Sequence, residues 1–192
     1  MYAIQITMLY NRRHNLKLGT ERMSNWNGIL TIIEIQHRDA KGNILWEQKN
    51  IKNILHQEGE EFLLRAAFTG GQVSTIIPEN YYLGLDNRQT IVATDVADDL
   101  IGEPSSGGYE RQAVSSSGDF AINLENDHFV ATSPIVAFRA TVGNWGPVSN
   151  LFLTTKNDNT GYLISTAVLG TAVSLLAGDN VTMRIGMRLK DC

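Results

Sequence analysis

The chain has one cysteine, Cys192, in 192 residues, so no disulfide can form within it, and a lone thiol agrees with folding in a reducing compartment. It has few positive charges: 16 Lys and Arg stand against 20 Asp and Glu, for a net charge of −4. The only dense basic group is Arg12, Arg13, His14 and Lys17. Phosphate backbones need a clustered positive surface, so nucleic acid is not an expected partner. Long apolar runs are missing too. The longest candidate, LISTAVLGTAVSLLAG, is interrupted by Gly170 and rich in Thr and Ser, and it falls short of the roughly 20 residues that a spanning helix needs. No membrane partner is expected. The opening MYAIQITMLYNRRHN places its apolar stretch before its basic residues, the reverse of a secretory signal, so no signal peptide is assigned.

The usual marks of chemistry are also absent. No glycine-rich loop leads into Lys and Ser or Thr, no dinucleotide fingerprint opens a helix, and no Gly-x-Ser-x-Gly elbow occurs. Zinc needs several Cys or His ligands at chelating spacing, whereas His14, His37, His56 and His128 lie far apart and read as surface histidines. His56 and Glu60 are placed one turn apart on an expected helix, where a solvated face explains them better than an acid/base pair. Glu125, Asp127 and His128 lack the regular spacing of a calcium loop, and a polar turn explains both ENDH and KNDNTG. The NVT at 180–182 matches a glycosylation acceptor by chance. No catalytic residue, metal or cofactor is expected. Trp26, Trp46, Trp145, Tyr81, Tyr82, Tyr109 and Tyr162 could line a sugar-binding face, but they are scattered, and core packing accounts for most of them.

What is present is a period of two. In Ile29, Thr31, Ile33 and Ile35 against Glu34, Gln36 and Arg38 it marks a half-buried strand, and DAKGN at 39–43 supplies a turn into ILWEQ. Ile51, Ile54, Leu55, Phe62, Leu63, Ala66 and Ala67 recur at three and four and predict a helix that stops at TGG. A strand is expected in YYLGLDNR, and one helical turn capped by Thr94 in TDVADDL. Strand candidates then follow at short spacing: YERQAV, DFAINL, HFVA, PIVAFRATV, SNLFLTT, YLISTAVL and NVTMRIGMRL. The last sets Val181, Met183, Ile185, Met187 and Leu189 on one face. The expected fold is mainly β: an antiparallel β-sandwich, jelly-roll-like, over residues 27–192, with one early α-helix and an N-terminal arm over residues 1–26.

In order, KNIKNILHQEGEEFLLRAAFTGG, YYLGLDNR, DDLIGEPSSGGYERQAV, ATVGNWGPVSNLFLTT and VLGTAVSLLAGDNVTMRIGMRL resemble a family of small virion proteins of tailed bacteriophages. The likeness covers about residues 45–190 and lies in the order of the motifs. It implies a β-sandwich structural protein without catalysis: a capsid decoration or minor head protein, a tail, neck or fibre component or, more distantly, a carbohydrate-binding virion module. Its implied partners are the major capsid protein and copies of itself, in a trimer, within a virion assembled in the host cytoplasm. On this likeness Tyr109 and Arg111 occupy the GY.R position, where Arg111 locks the preceding loop. Gly143, Trp145, Gly146 and Pro147 shape the turn into the Leu151 strand, with the indole closing one end of the core. The arm stands outside the likeness. Its apolar residues Tyr2, Ile4, Ile6, Met8 and Tyr10 alternate as in a strand, which must pair with some sheet edge, and an adjacent subunit in the assembly is the expected one.

Overall fold

The computed structural model describes residues 27–68, 77–88, 90–105, 107–125 and 127–190. The arm residues Tyr2, Ile4, Ile6, Met8 and Tyr10 lie outside the described residues. Among the described residues, ten strands, one α-helix and one short 3-10 turn make a mainly β fold. The strands are β1 (Asn27–Arg38), β2 (Ile44–Leu55), β3 (Asn80–Asp86), β4 (Gln112–Ser115), β5 (Ala121–Glu125), β6 (His128–Thr132), β7 (Val136–Arg139), β8 (Trp145–Thr154), β9 (Leu163–Leu175) and β10 (Asn180–Lys190). The helix α1 covers Gln57–Phe68, and the 3-10 turn covers Ala97–Asp99.

All ten strands join one antiparallel sheet in the order β4-β3-β8-β9-β2-β1-β10-β6-β5. β7 lies beside β6 along β10, pairing Val136 with Met183 and Asn180 with Arg139. The long strand β2 joins the two halves of the sheet. Its first part pairs with β1 and its last three residues, Asn53–Leu55, pair with β9. The sheet is curled, so the apolar sides of both halves face a common core. Ile35, Phe138, Met183 and Ile185 from one half meet Leu83, Leu85, Leu151, Leu153 and Leu175 from the other. Tyr109, just before β4, stacks on Phe138 of β7 with ring centroids 6.2 Å apart, which draws that edge of the curl inward.

The first hairpin turns where Asp, Gly and Asn cluster. The Asp39 carboxylate accepts from the backbone N–H groups of Lys41 and Asn43 at 2.9 and 2.8 Å, and Gly42 takes φ +88°, a conformation that favours glycine. The Asn43 side-chain amide also donates to Asp39, and these bonds hold the carboxyl below its usual pKa.

Two elements start elsewhere than the sequence pattern predicts. Ile51, Ile54 and Leu55 belong to β2, and the helix begins only at Gln57. Their three- and four-residue spacing coincides with that of a helix, but a strand with apolar residues on both faces produces the same spacing. The partner β9 settles the matter by pairing with Asn53, Ile54 and Leu55. Thr94 caps no helical turn. Val96 precedes the 3-10 turn, and the Asp99 carboxylate accepts from the Val96 N–H at 2.9 Å. In β1 a bulge between Ile32 and Glu34 shifts the alternation, so Ile35 pairs with Met183 and is buried, whereas Ile33 is only partly buried.

The helix is held against β9 by its first turn. The Glu58 carboxylate accepts from the N–H groups of Leu163, at 2.7 Å, and Ala97, at 3.1 Å, tying β9 and the 3-10 turn to one side chain. Gly59 packs so close that a β-carbon there would sit 2.3 Å from the Ile164 carbonyl oxygen. Phe62 closes the contact between Tyr81 and Tyr162, at centroid distances of 6.0 and 5.8 Å. Among the described residues no helix is long and apolar enough to cross a membrane.

Candidate functional site

Two segments more than thirty residues apart in sequence meet at one end of the core. Trp145 opens β8 and is buried at 3% exposure, and Tyr109 meets it edge to face at 5.4 Å and 88°. The tight loop before Tyr109 lies directly over the indole. Gly107 takes φ +71°, and a β-carbon there would fall 2.7 Å from Trp145 Nε1 and 2.9 Å from the Gly143 backbone. Gly143 lies in the bend preceding β8. Gly146 and Pro147 stand within β8, joined by a cis peptide bond, instead of forming a turn ahead of it. Pairing with β9 is irregular there, between Trp145 and Val148. Gly146 takes φ +122° with the Ser174 Cα and Val173 carbonyl too close for any side chain.

Arg111 extends this knot to a second loop. Its Nε donates to Glu103 Oε2 at 3.0 Å, and its Nη2 donates to Glu103 Oε1 and to Asn159 Oδ1. Its Nη1 donates to the carbonyls of Asp158, at 2.8 Å, and Lys156, at 3.3 Å. The guanidinium carbon lies 4.9 Å from the Phe152 ring centroid. Arg111 therefore ties the 101–110 loop to the β8–β9 loop, and Glu103 neutralises its buried charge. Tyr109 Oη accepts from the Leu85 N–H and donates to Glu103 Oε2, both at 2.8 Å. Burial, with the Glu103 charge beside it, pushes the phenol pKa up, so Tyr109 stays a neutral donor. Over this knot lies a shallow depression of about 680 Å³, lined by Glu103, Glu110, Arg111 and the 157–159 loop.

A second polar cluster lies under the 87–102 loop. Asp86, fully buried, accepts from Arg88 Nε at 2.7 Å and from the Gly102 N–H at 3.0 Å, and Arg88 also pairs with Asp95 at 3.2 Å. Nearby, His56 is fully buried, and its Nε2 lies 2.8 Å from Thr166 Oγ1. Burial lowers its pKa, which the Asp95 charge partly offsets and the Arg88 charge reinforces. His37 is buried as well, with Nε2 3.0 Å from Asp179 Oδ2. The expectation of surface histidines thus fails for both, because each ring fills a core position and spends its nitrogen on a neighbouring strand or turn. His56 precedes the helix instead of sharing a face with Glu60.

Sequence reasoning named Tyr109, Arg111, Gly143 and Trp145, and the fold brings them together. It gave no role to Glu103, although the residue stands in the quoted GEPS motif. A carboxylate eight residues before a buried arginine is the signal that was there to read. Among the described residues the rings in contact form two separate groups, Tyr109 with Trp145 and Phe138, and Tyr81 with Phe62, Phe120 and Tyr162, while Trp46 packs against the core; Trp26 lies outside the described residues. Among the described residues no three of His, Cys, Asp or Glu converge as metal ligands would. Compared with known proteins, the chain matches no family model and no characterised protein.

Proposed function

We propose that this chain is a non-enzymatic structural protein of a tailed-phage particle: a capsid decoration or minor capsid protein that binds the outer surface of the head and reinforces it. One observation carries the reading. The two motifs on which the phage-protein likeness rests most, GEPS…GYER and GNWG.V, interlock in space through Gly107 on Trp145, Tyr109 on Trp145 and Arg111 on Glu103. At their junction Arg111, Glu103 and Tyr109 bond across loops and strands, which suits a surface unit that must hold its shape under load. On this reading the two halves of the curled sheet correspond to the two layers of a jelly-roll-like sandwich, the partners are the major capsid protein and further copies of the chain arranged as a trimer, and the site of action is the virion.

The test is negative-stain microscopy of particles carrying an affinity-gold label on this chain. A regular lattice of label over the head supports the proposal. Label confined to one vertex, or running along the tail, replaces it with a neck, tail or fibre role. Particles that carry no label overturn both.

A further inference from the structure

The end of the sheet opposite the knot carries an apolar face that nothing in the described structure covers. In the β5–β6 hairpin, Ile122 pairs with Ala131 and Leu124 with Phe129, so the four side chains share one face. Ala131 in turn pairs with Met187 of β10, which packs against the core. This face therefore continues the inner side of the curled sheet past the point where the opposite half ends. Ile122, Leu124 and Phe129 are 71%, 63% and 70% exposed. Beyond them β5 is an edge strand: among the described residues it pairs with β6 alone. An apolar surface beside a row of unpaired backbone groups is a template for one more strand.

The chain has one segment of matching chemistry, and it is rooted close by. Residues 2–10 alternate Tyr2, Ile4, Ile6, Met8 and Tyr10 with mostly polar neighbours, and so offer one apolar face at strand period. The described chain begins at Asn27, which pairs with Lys190, two residues beyond the Arg188–Val130 pairing and so level with the tip of the β5–β6 hairpin. From β1 across β10 and β6 to β5 is three strand spacings, about 15 Å. The intervening residues 11–26 reach at most about 3.3–3.6 Å each, on the order of 50 Å, so the span is covered with length to spare. We infer that residues 2–10 dock on the free edge of β5 in the same chain, as an eleventh strand whose apolar face covers Ile122, Leu124 and Phe129. A tethered strand is presented to its own edge at an effective concentration that a separate copy in dilute solution does not match. This reading differs from the adjacent-subunit docking expected from sequence, for an arm that lies outside the described residues. The inference does not rest on the virion role.

Amide hydrogen exchange decides it, measured on the full chain, on a variant lacking residues 1–22 and on Ile6→Asp. In the full chain the edge-facing amides of residues 121–125 exchange about tenfold or more slowly than in either variant, equally across a hundredfold range of protein concentration. Ile6→Asp leaves the whole fold in place, so it answers the question even if the truncated chain folds poorly. Equal exchange in all three proteins overturns the inference. Protection that disappears on dilution, with a dimer seen by light scattering, overturns it in favour of a second copy.

Discussion

The two ends of the sheet are built from the same apolar alternation and finish in opposite conditions. At the β4–β3–β8 end, Tyr109 packs on Trp145 and, across the core, on Phe138 of β7, and a glycine loop and a forked arginine seal the surface above. At the β5–β6 end, all five residues of β5 are exposed, although Ile122 and Leu124 alternate as well as any core strand. The difference lies in what faces each strand. An alternating strand specifies a face able to be buried, and a second layer, supplied by residues distant in sequence, decides whether it is.

The largest effect is expected at the closed end. Trp145→Ala removes the side chain on which Tyr109 and Gly107 rest and should cost about 3–5 kcal/mol, read from denaturant unfolding. A loss under about 1 kcal/mol would mean that the knot is no more a core than the open hairpin is. Arg111→Met comes next. It leaves the Glu103 carboxylate partly buried without its partner and frees the 157–159 loop, for a loss of about 2–3 kcal/mol. Limited proteolysis should then cut within residues 156–161 first, and cleavage elsewhere would show that Arg111 does not hold that loop.

His56 sharpens the comparison through pH. Its folded pKa lies below its ordinary 6.5, chiefly through burial, so the unfolded chain takes up the proton first. The contribution of a neutral His56 is therefore complete above about pH 6.5 and is lost as the pH falls from there through the lowered folded value. Melting temperature should drop on acidification through this window, and His56→Gln should flatten the drop. An identical slope in the variant would assign it to other groups.

At the open end the effects are small. In the chain lacking residues 1–22, Phe129→Ser should change stability by less than about 0.5 kcal/mol, because an exposed side chain has little burial to lose. A cost of several kcal/mol there would show a covering layer made by residues 23–192 themselves. Smallest of all is metal removal. Thermal melts with and without a chelator should coincide, and a fall of many degrees on chelation would reveal a structural metal.

The readable parts of this fold are those where one face is buried and the other wet. In β10, Val181, Met183 and Ile185 are buried while Arg184 is exposed, as the alternation predicts. The turns at 39–43 and 156–161 follow from their Asp, Asn and Gly residues, whose side chains bond their own backbone. Legibility fails where long-range pairing overrides a local pattern. The helix is misplaced at its start because β9 claims Ile54 and Leu55, and a bulge that no residue in β1 announces shifts Ile35 onto the other parity. Of the candidate site, the residues could be picked out but their partners could not. That Arg111 reaches Glu103 and Asn159 at once depends on where two loops are carried by β4 and the β8–β9 turn. His37 and His56 were missed for a related reason: a lone histidine looks the same in sequence whether it faces water or a threonine on the neighbouring strand.

The proposed role is most directly tested by counting. Quantitative mass spectrometry of purified phage particles should find this chain in a fixed proportion to the major shell protein, and in heads of different size its copy number should scale with shell area. A small constant number of copies per particle, or none, would contradict a protein that covers and reinforces the head.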